Sequence, residues 1–242
     1  MKKIKGLLLK DILQTKTYFI TSILLVLLFT VLAFFQIVSI YDLDSGYGNE
    51  PGETIDQLSL LQNALNSSFF YFCIFPVYSC SAIALSFQQD EKCNFDKFAI
   101  SSGISRKVIV NEKVIFAGVA SIPGWLSALI ISILISTLQN PYVNFLVGFY
   151  ILLISISGSL LANGVSLTLC TFLGSVKGRL WSAITTMLVF IAQTAAFVLY
   201  ILFGLINVLI GSLVALIFFG LSIAFFTGAY FLSQKAYSNK EF

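Results

Sequence analysis

The chain has 242 residues, of which 58% are hydrophobic and only 10% charged, with 14 Lys and Arg against 11 Asp and Glu. A soluble domain carries roughly a quarter charged residues, and a mean hydropathy of +0.94 leaves too little polar surface to cover a water-soluble core. Those figures exclude a soluble domain and describe an all-α, polytopic integral membrane protein with room for about six crossing helices of about 20 apolar residues each.

Residues Met1 to Lys16 (MKKIKGLLLKDILQTK) mix five lysines with Ile4, Leu7, Leu8, Leu9, Ile12 and Leu13. At helical spacing the apolar residues cover a wide arc, and Lys3, Lys10 and Gln14 form a polar stripe. The pattern predicts an interfacial helix over residues 1–17, its lysines reaching towards lipid phosphates. A signal peptide is the rival reading, but the apolar run Tyr18 to Ile40 is too long for one and no cleavage site follows it. That run is the first span. Residues 41–66 form a loop with Asp42, Asp44, Glu50, Glu53 and Asp56 and no Lys or Arg; Asn66-Ser67-Ser68 is a weak glycosylation match at its edge. The second span, about Ser67 to Phe87, is aromatic-rich and contains Pro76, a kink position.

Residues 88–113 are the only long charged stretch between two apolar runs. Asn94 is placed to cap a short helix over Phe95 to Ser101, Gly103 to end it in left-handed geometry, and Ser105 to cap a second helix from Arg106. Phe95, Phe98 and Ile104 are expected to stand out of this hairpin as apolar knobs. Two readings are open: a structured loop that docks a partner, or an ordinary solvated connection. The third span runs from about Val114 to Leu138 through Pro123-Gly124. A turn over Gln139 to Asn144 leads to the fourth span, Phe145 to about Phe172. Residues Gly174 to Leu180 (GSVKGRL) read as a tight basic turn with Lys177 and Arg179. The fifth span covers Trp181 to Phe203 and the sixth Val208 to Leu232, so the transmembrane domain is 18–232 and 233–242 is a tail.

With six spans, every Lys and Arg falls on one side, which the positive-inside rule makes cytosolic, together with both termini. No Asp, Glu, Lys, Arg or His lies within a proposed span, which speaks against a proton-coupled transporter or an intramembrane enzyme. There is no histidine at all, and Cys73, Cys80, Cys93 and Cys170 show neither metal nor disulfide spacing. Asn163 and Gln193 line a polar cavity or hydrogen-bond between helices; the Phe72–Phe75 stripe is core, lipid contact or the wall of a translocation path. Gly158 with Ala162, and Gly220 with Ala224 and Gly228, permit close helix packing. No phosphate-cradling G-x-x-x-x-G-K-[ST] motif occurs, so the chain is expected to bind no nucleotide cofactor and to draw energy for any uphill movement from a partner.

The block DEKCNFDKFAISSGISRKVIVNEK, set between the second and third of six spans, resembles the permease subunits of type-2 ABC exporters of Gram-positive bacteria. An acidic start leads to an aromatic-x-basic-aromatic helix (Phe95-Asp96-Lys97-Phe98), a small-residue break (Ser101-Ser102-Gly103) and a Ser105-Arg106-Lys107 step into the next span. The layout is also similar to theirs, and most of all to permeases of phenol-soluble modulin exporters, then to lantibiotic-immunity and bacitracin-type permeases. Relatives often have Leu-Pro where this chain has Ser102-Gly103. The resemblance implies a multi-pass protein of the bacterial plasma membrane, a non-catalytic half-transporter paired with a second permease chain. Each chain would be docked to a cytosolic ATPase that carries the ATP and Mg. Amphipathic peptides are the implied cargo, and nucleic acid is not a partner. The implied ATPase-coupling residues are Glu91, Phe95, Lys97, Phe98, Ile104 and Arg106, with Lys177 in a second contact. A membrane-embedded scaffold or immunity protein that binds without transport is the alternative.

Overall fold

The computed structural model describes residues 2–46, 81–138, 141–206 and 208–239. All the elements among them are helices: α1 (Lys2–Gln14), α2 (Lys16–Gly46), α3 (helical residues 81–92), α4 (Phe95–Ser101), α5 (Arg106–Leu138), α6 (Pro141–Leu173), α7 (Ser175–Ile206) and α8 (Val208–Ser238). Four of them, α5 to α8, are long and apolar enough to cross a membrane, and α1 with α2, bent by 67° at their junction, would make a fifth. Most of the expected second span, with Pro76 and the Phe72–Phe75 stripe, lies outside the described residues, as do residues 47–66 of the expected loop 41–66, whose first residues, 41–46, instead continue α2.

At the junction of α1 and α2 both the Thr15 amide (2.9 Å) and the Thr15 hydroxyl (2.7 Å) donate to the Asp11 carbonyl. Pro123 sits inside α5 without breaking it. It has no N–H to give, and close by the Tyr18 hydroxyl donates to the Ala120 carbonyl at 3.2 Å, tying α2 to the weakened turn.

Helices α5 to α8 pack through small and mildly polar side chains, as spans do when apolar contact with lipid and with protein is worth nearly the same. On α6, Ser155, Ser157, Ser159, Ala162, Asn163 and Ser166 are all buried. The Trp125 indole of α5 donates to Ser159 Oγ at 2.7 Å. Gly158 lies so close to α7 that an added Cβ would meet Gln193 Oε1 at 2.1 Å. The second small-residue stripe does not pack in this way: a Cβ on Gly220 or Gly228 meets nothing within 4 Å among the described residues, because these positions point away from α5, α6 and α7. Large apolar side chains cover the outer faces, Leu24, Leu27, Met187, Leu188, Leu213 and Ile217 among them, as lipid contact requires.

Several boundaries move relative to the sequence reading. The helix expected from Arg106 runs without a break into the third span as α5, so the charged stretch 88–113 ends inside a long helix that holds Glu112 and Lys113. The basic turn over Gly174 to Leu180 contracts to Gly174 alone, with φ +79°, and Lys177 and Arg179 ride on the first turns of α7. Residues 233–238 continue α8.

Candidate functional site

Among the described residues, most charged side chains gather at one end of the bundle, around the α3–α4–α5 hairpin. Its local structure follows the residues expected to shape it. Cys93 and Asn94 close α3 through hydrogen bonds to the Gln89 and Glu91 carbonyls. Asn94 stands at the start of α4 but reaches left-handed geometry (φ 48°) and makes no side-chain cap bond; Asn is one of the few residues that adopts this conformation at little cost. Gly103 (φ +78°) ends α4, with its amide on the Ile100 carbonyl and the Ile104 amide on that of Ala99, both 3.0 Å. The Ser105 carbonyl then accepts the first bond of α5, from the Val108 amide at 2.9 Å.

One face of α4 is sunk into the protein. Asp96 and Ala99 are buried, and Phe95, Ile100 and Ile104 pack against a core that includes Ile83, Phe87, Ile109, Leu167 and Tyr237. The Asp96 carboxylate and the Tyr237 hydroxyl of α8 face one another. Of the three expected knobs only Phe98 stands out, 67% exposed; Phe95 and Ile104 serve as anchors because the hairpin folds back onto α5 and α8. Lys97 is exposed beside Phe98, and the two Phe rings lie 6.4 Å apart.

Beneath α4 three helices exchange charge. The Lys113 ammonium of α5 is fully buried and lies 2.6 Å from Asp11 Oδ2 of α1 and 2.6 Å from Asp90 Oδ2 of α3. It also donates to Ser86 Oγ, whose hydroxyl donates to Asp11 Oδ2 at 2.5 Å. Lys10 of α1 sits 2.5 Å from Asp90 Oδ1 and 2.9 Å from Asp11 Oδ1, with its ammonium 3.6 Å above the Phe95 ring. Glu112 is buried alongside, 3.8 Å from Lys113. Burial raises the Asp11 carboxyl, but the charges of Lys113 and Lys10 and the hydrogen bonds from Lys113 and Ser86 outweigh it and hold the group below its ordinary value. Such a cluster stores more specificity than stability, since removing one member strands the rest in a dry site.

A second tie joins the hairpin to the α6–α7 turn. Glu91 Oε1 accepts the Ser175 amide at 2.9 Å, and the Ser175 hydroxyl donates to Oε2, so a carboxylate caps the positive end of α7. Arg179 donates to Gln88 Oε1 at 3.0 Å. A third tie is the Arg106 guanidinium, which donates to the Ser238 carbonyl at the end of α8 at 2.5 Å.

The candidate residues thus divide. Glu91, Phe95, Ile104 and Arg106 fasten the hairpin to α1, α7 and α8, while Lys97, Phe98 and Lys177 are exposed. Asn163 and Gln193 are buried in the bundle; Asn163 Nδ2 donates across to Ser121 Oγ of α5 at 2.7 Å. Phe72 and Phe75 lie outside the described residues. Among the described residues no group of His, Cys, Asp and Glu is arranged to hold a metal. Sequence reasoning missed the Asp11–Asp90–Lys113 cluster. One signal for it was available: the polar stripe Lys3, Lys10, Gln14 leaves Asp11 on the apolar arc of α1, one turn from Leu7 and beside Ile12.

Comparison with curated proteins gave no match, and comparison with solved structures gave none. A family model described as ABC-2 family transporter protein matches residues 58–238, which takes in the hairpin and every helix from α3 to α8. With so much of the chain matched, the chain belongs to the ABC-2 family of transporter proteins.

Proposed function

We propose that the chain is the permease subunit of an ATP-driven exporter of amphipathic peptides, and that a separate ATPase docks on α4. The charged end then faces the cytosol, with both termini there and six spans in the plasma membrane. ATP and Mg are held by the ATPase, and a second permease chain completes the transporter. The observation that carries this reading is a contrast within the α3–α4–α5 hairpin: it is fastened to α1, α7 and α8, yet its α4 holds Phe98 and Lys97 out into solvent. An aromatic anchor on a rigid mount is what a docking partner grips, and a solvated connection has no use for ties to three helices. A push on α4 passes through Glu91 to α7, through Arg106 to α8 and through Lys10 and Asp90 to α1. Lys177, on the first turn of α7, forms the smaller second contact. For the cargo, the supporting feature is the absence of charge from residues 114–138, 141–173 and 180–206, whose buried polar groups are neutral, Asn163 and Gln193 included. Apolar walls of this kind suit a peptide such as a phenol-soluble modulin, which presents an apolar face.

The test is retention of the ATPase when the chain is purified from its native membrane. Losing a buried aromatic anchor commonly costs about 2 kcal/mol or more, or roughly thirtyfold in affinity, so Phe98→Ala is expected to release the ATPase at matched expression, and Lys97→Ala to matter less. Full retention by Phe98→Ala, or no ATPase with the wild-type chain, would remove the docking assignment.

A further inference from the structure

Between α1, α5 and α8, at the charged end, lies a groove of about 350 Å³, within the roughly 300–1,000 Å³ of small-ligand sites. Helix α5 leaves that end as its numbering rises and α8 approaches it, so Asn111 and Tyr230 lie at one level, and Ile115 and Phe226 one turn deeper. The deep part is largely apolar, with Ile4 of α1 adding to Val114, Ile115 and Phe226, and the hydroxyl of Thr227 spent on the Ile223 carbonyl of its own helix. The shallow part is polar. Asn111 Oδ1 accepts the Tyr230 hydroxyl at 2.8 Å and Gln234 Nε2 at 3.0 Å. Two donors occupy both lone pairs of that oxygen, which fixes the amide and turns its NH2, with two donors of its own, the other way.

Two exposed lysines lie on the helices that form the groove. Lys107 is one turn before Asn111 on the same face of α5, and Lys5 follows Ile4 on α1. No Asp or Glu lines the groove, and the neighbouring Glu112 is buried beside Lys113. We propose that this groove is a binding site for one anionic phospholipid of the adjacent leaflet, its acyl chain against Ile115 and Phe226 and its phosphate at the Asn111 amide and Lys107. An apolar wall alone would accept any chain; Lys107 and Lys5, with no acid in the groove, select the anionic headgroup and disfavour a cationic amphipathic peptide. The proposal requires only that α5 and α8 span the membrane, and it is independent of ATPase docking.

The test uses the full chain in a neutral detergent, titrated with fluorescent phosphatidylglycerol and, separately, with phosphatidylcholine of the same acyl chains. Saturable binding of phosphatidylglycerol is expected, with phosphatidylcholine weaker by about fivefold or more. Lys107→Gln should weaken phosphatidylglycerol about fivefold and leave phosphatidylcholine unchanged. Ile115→Trp, which fills the groove, should weaken both, and Lys92→Gln on α3 neither. Lys107 is exposed, so its variant remains informative if Ile115→Trp misfolds. Equal binding of the two lipids, or indifference to Lys107→Gln, overturns the proposal. So does saturation by a cationic amphipathic peptide that phosphatidylglycerol cannot displace.

Discussion

Lys113 and Asp11, 102 residues apart in sequence, lie 2.6 Å apart with neither side chain reaching solvent. The pair, completed by Asp90, locks the first helix of the chain to the hairpin that carries Phe98. Lys113→Met leaves Asp11 and Asp90 buried with only Lys10 for both, and breaking a buried pair in this way costs about 3–5 kcal/mol. A clear fall in thermal unfolding temperature in detergent is expected, partly recovered by adding Asp11→Asn. Asp11 is held below its ordinary 3.8, so its stabilisation is present in full above that pH and is lost as pH falls through the lower folded value. Asp11→Asn should flatten this acid limb. An unchanged unfolding temperature in Lys113→Met would show that the lock does not hold α1.

Gly178 sets the approach of α7 to α6. A Cβ there would lie 2.7 Å from Cys170 Cα and 2.8 Å from the Leu169 carbonyl oxygen, backbone atoms that cannot swing aside. Gly178→Ala should destabilise by about 1–3 kcal/mol, as overpacking does. Gly118→Ala, with nothing within 4 Å of its added Cβ, is the control and should unfold no lower than wild type, since Ala is the better helix former.

Phe95 and Phe98 should part company in stability. Phe95 packs on the core under the Lys10 ammonium, so Phe95→Ala should lower the unfolding temperature, by an amount near the lower end of the about 3–5 kcal/mol seen for fully buried Phe. Phe98 is solvent-exposed, and Phe98→Ala should change stability by less than about 0.5 kcal/mol. Equal losses would mean that Phe98 is also an anchor.

Cys93 is exposed on the hairpin and Cys170 is buried in α6. In a variant lacking Cys73 and Cys80, an impermeant maleimide should label Cys93 in inverted membranes and leave it unlabelled in intact cells. Cys170 should react only after denaturation. Labelling of Cys93 from outside would reverse the proposed orientation.

The hairpin was legible because its punctuation is local. Gly103 ends α4 in the left-handed turn expected of it, and Ser105 starts α5 where the sequence says it should. What α4 buries was not legible, since Phe95 and Phe98 look alike on one turn and only the fold places Phe95 under Lys10. The ionic cluster escaped for a related reason. In a hydropathy profile Glu112 and Lys113 look like the end of a polar loop, and Asp11 is outnumbered by lysines. Only the convergence of α1, α3 and α5 turns these scattered charges into one buried group. The Gly174 turn was read too long because Lys177 and Arg179 are polar, yet a first helical turn at a membrane surface tolerates such residues as readily as a loop does.

The Asp11–Lys113 contact also orders the chain in time. Asp11 leaves the ribosome 75 residues before Ser86, the first of its partners outside α1, and 102 before Lys113. Until α5 has been synthesised, α1 has no buried cation to receive its carboxylate and must wait, hydrated, at the membrane surface. The helix made first is therefore seated only after later spans have entered the bilayer. A nascent chain halted at Phe87 should leave α1 open to protease, and one halted beyond Leu138 should protect it.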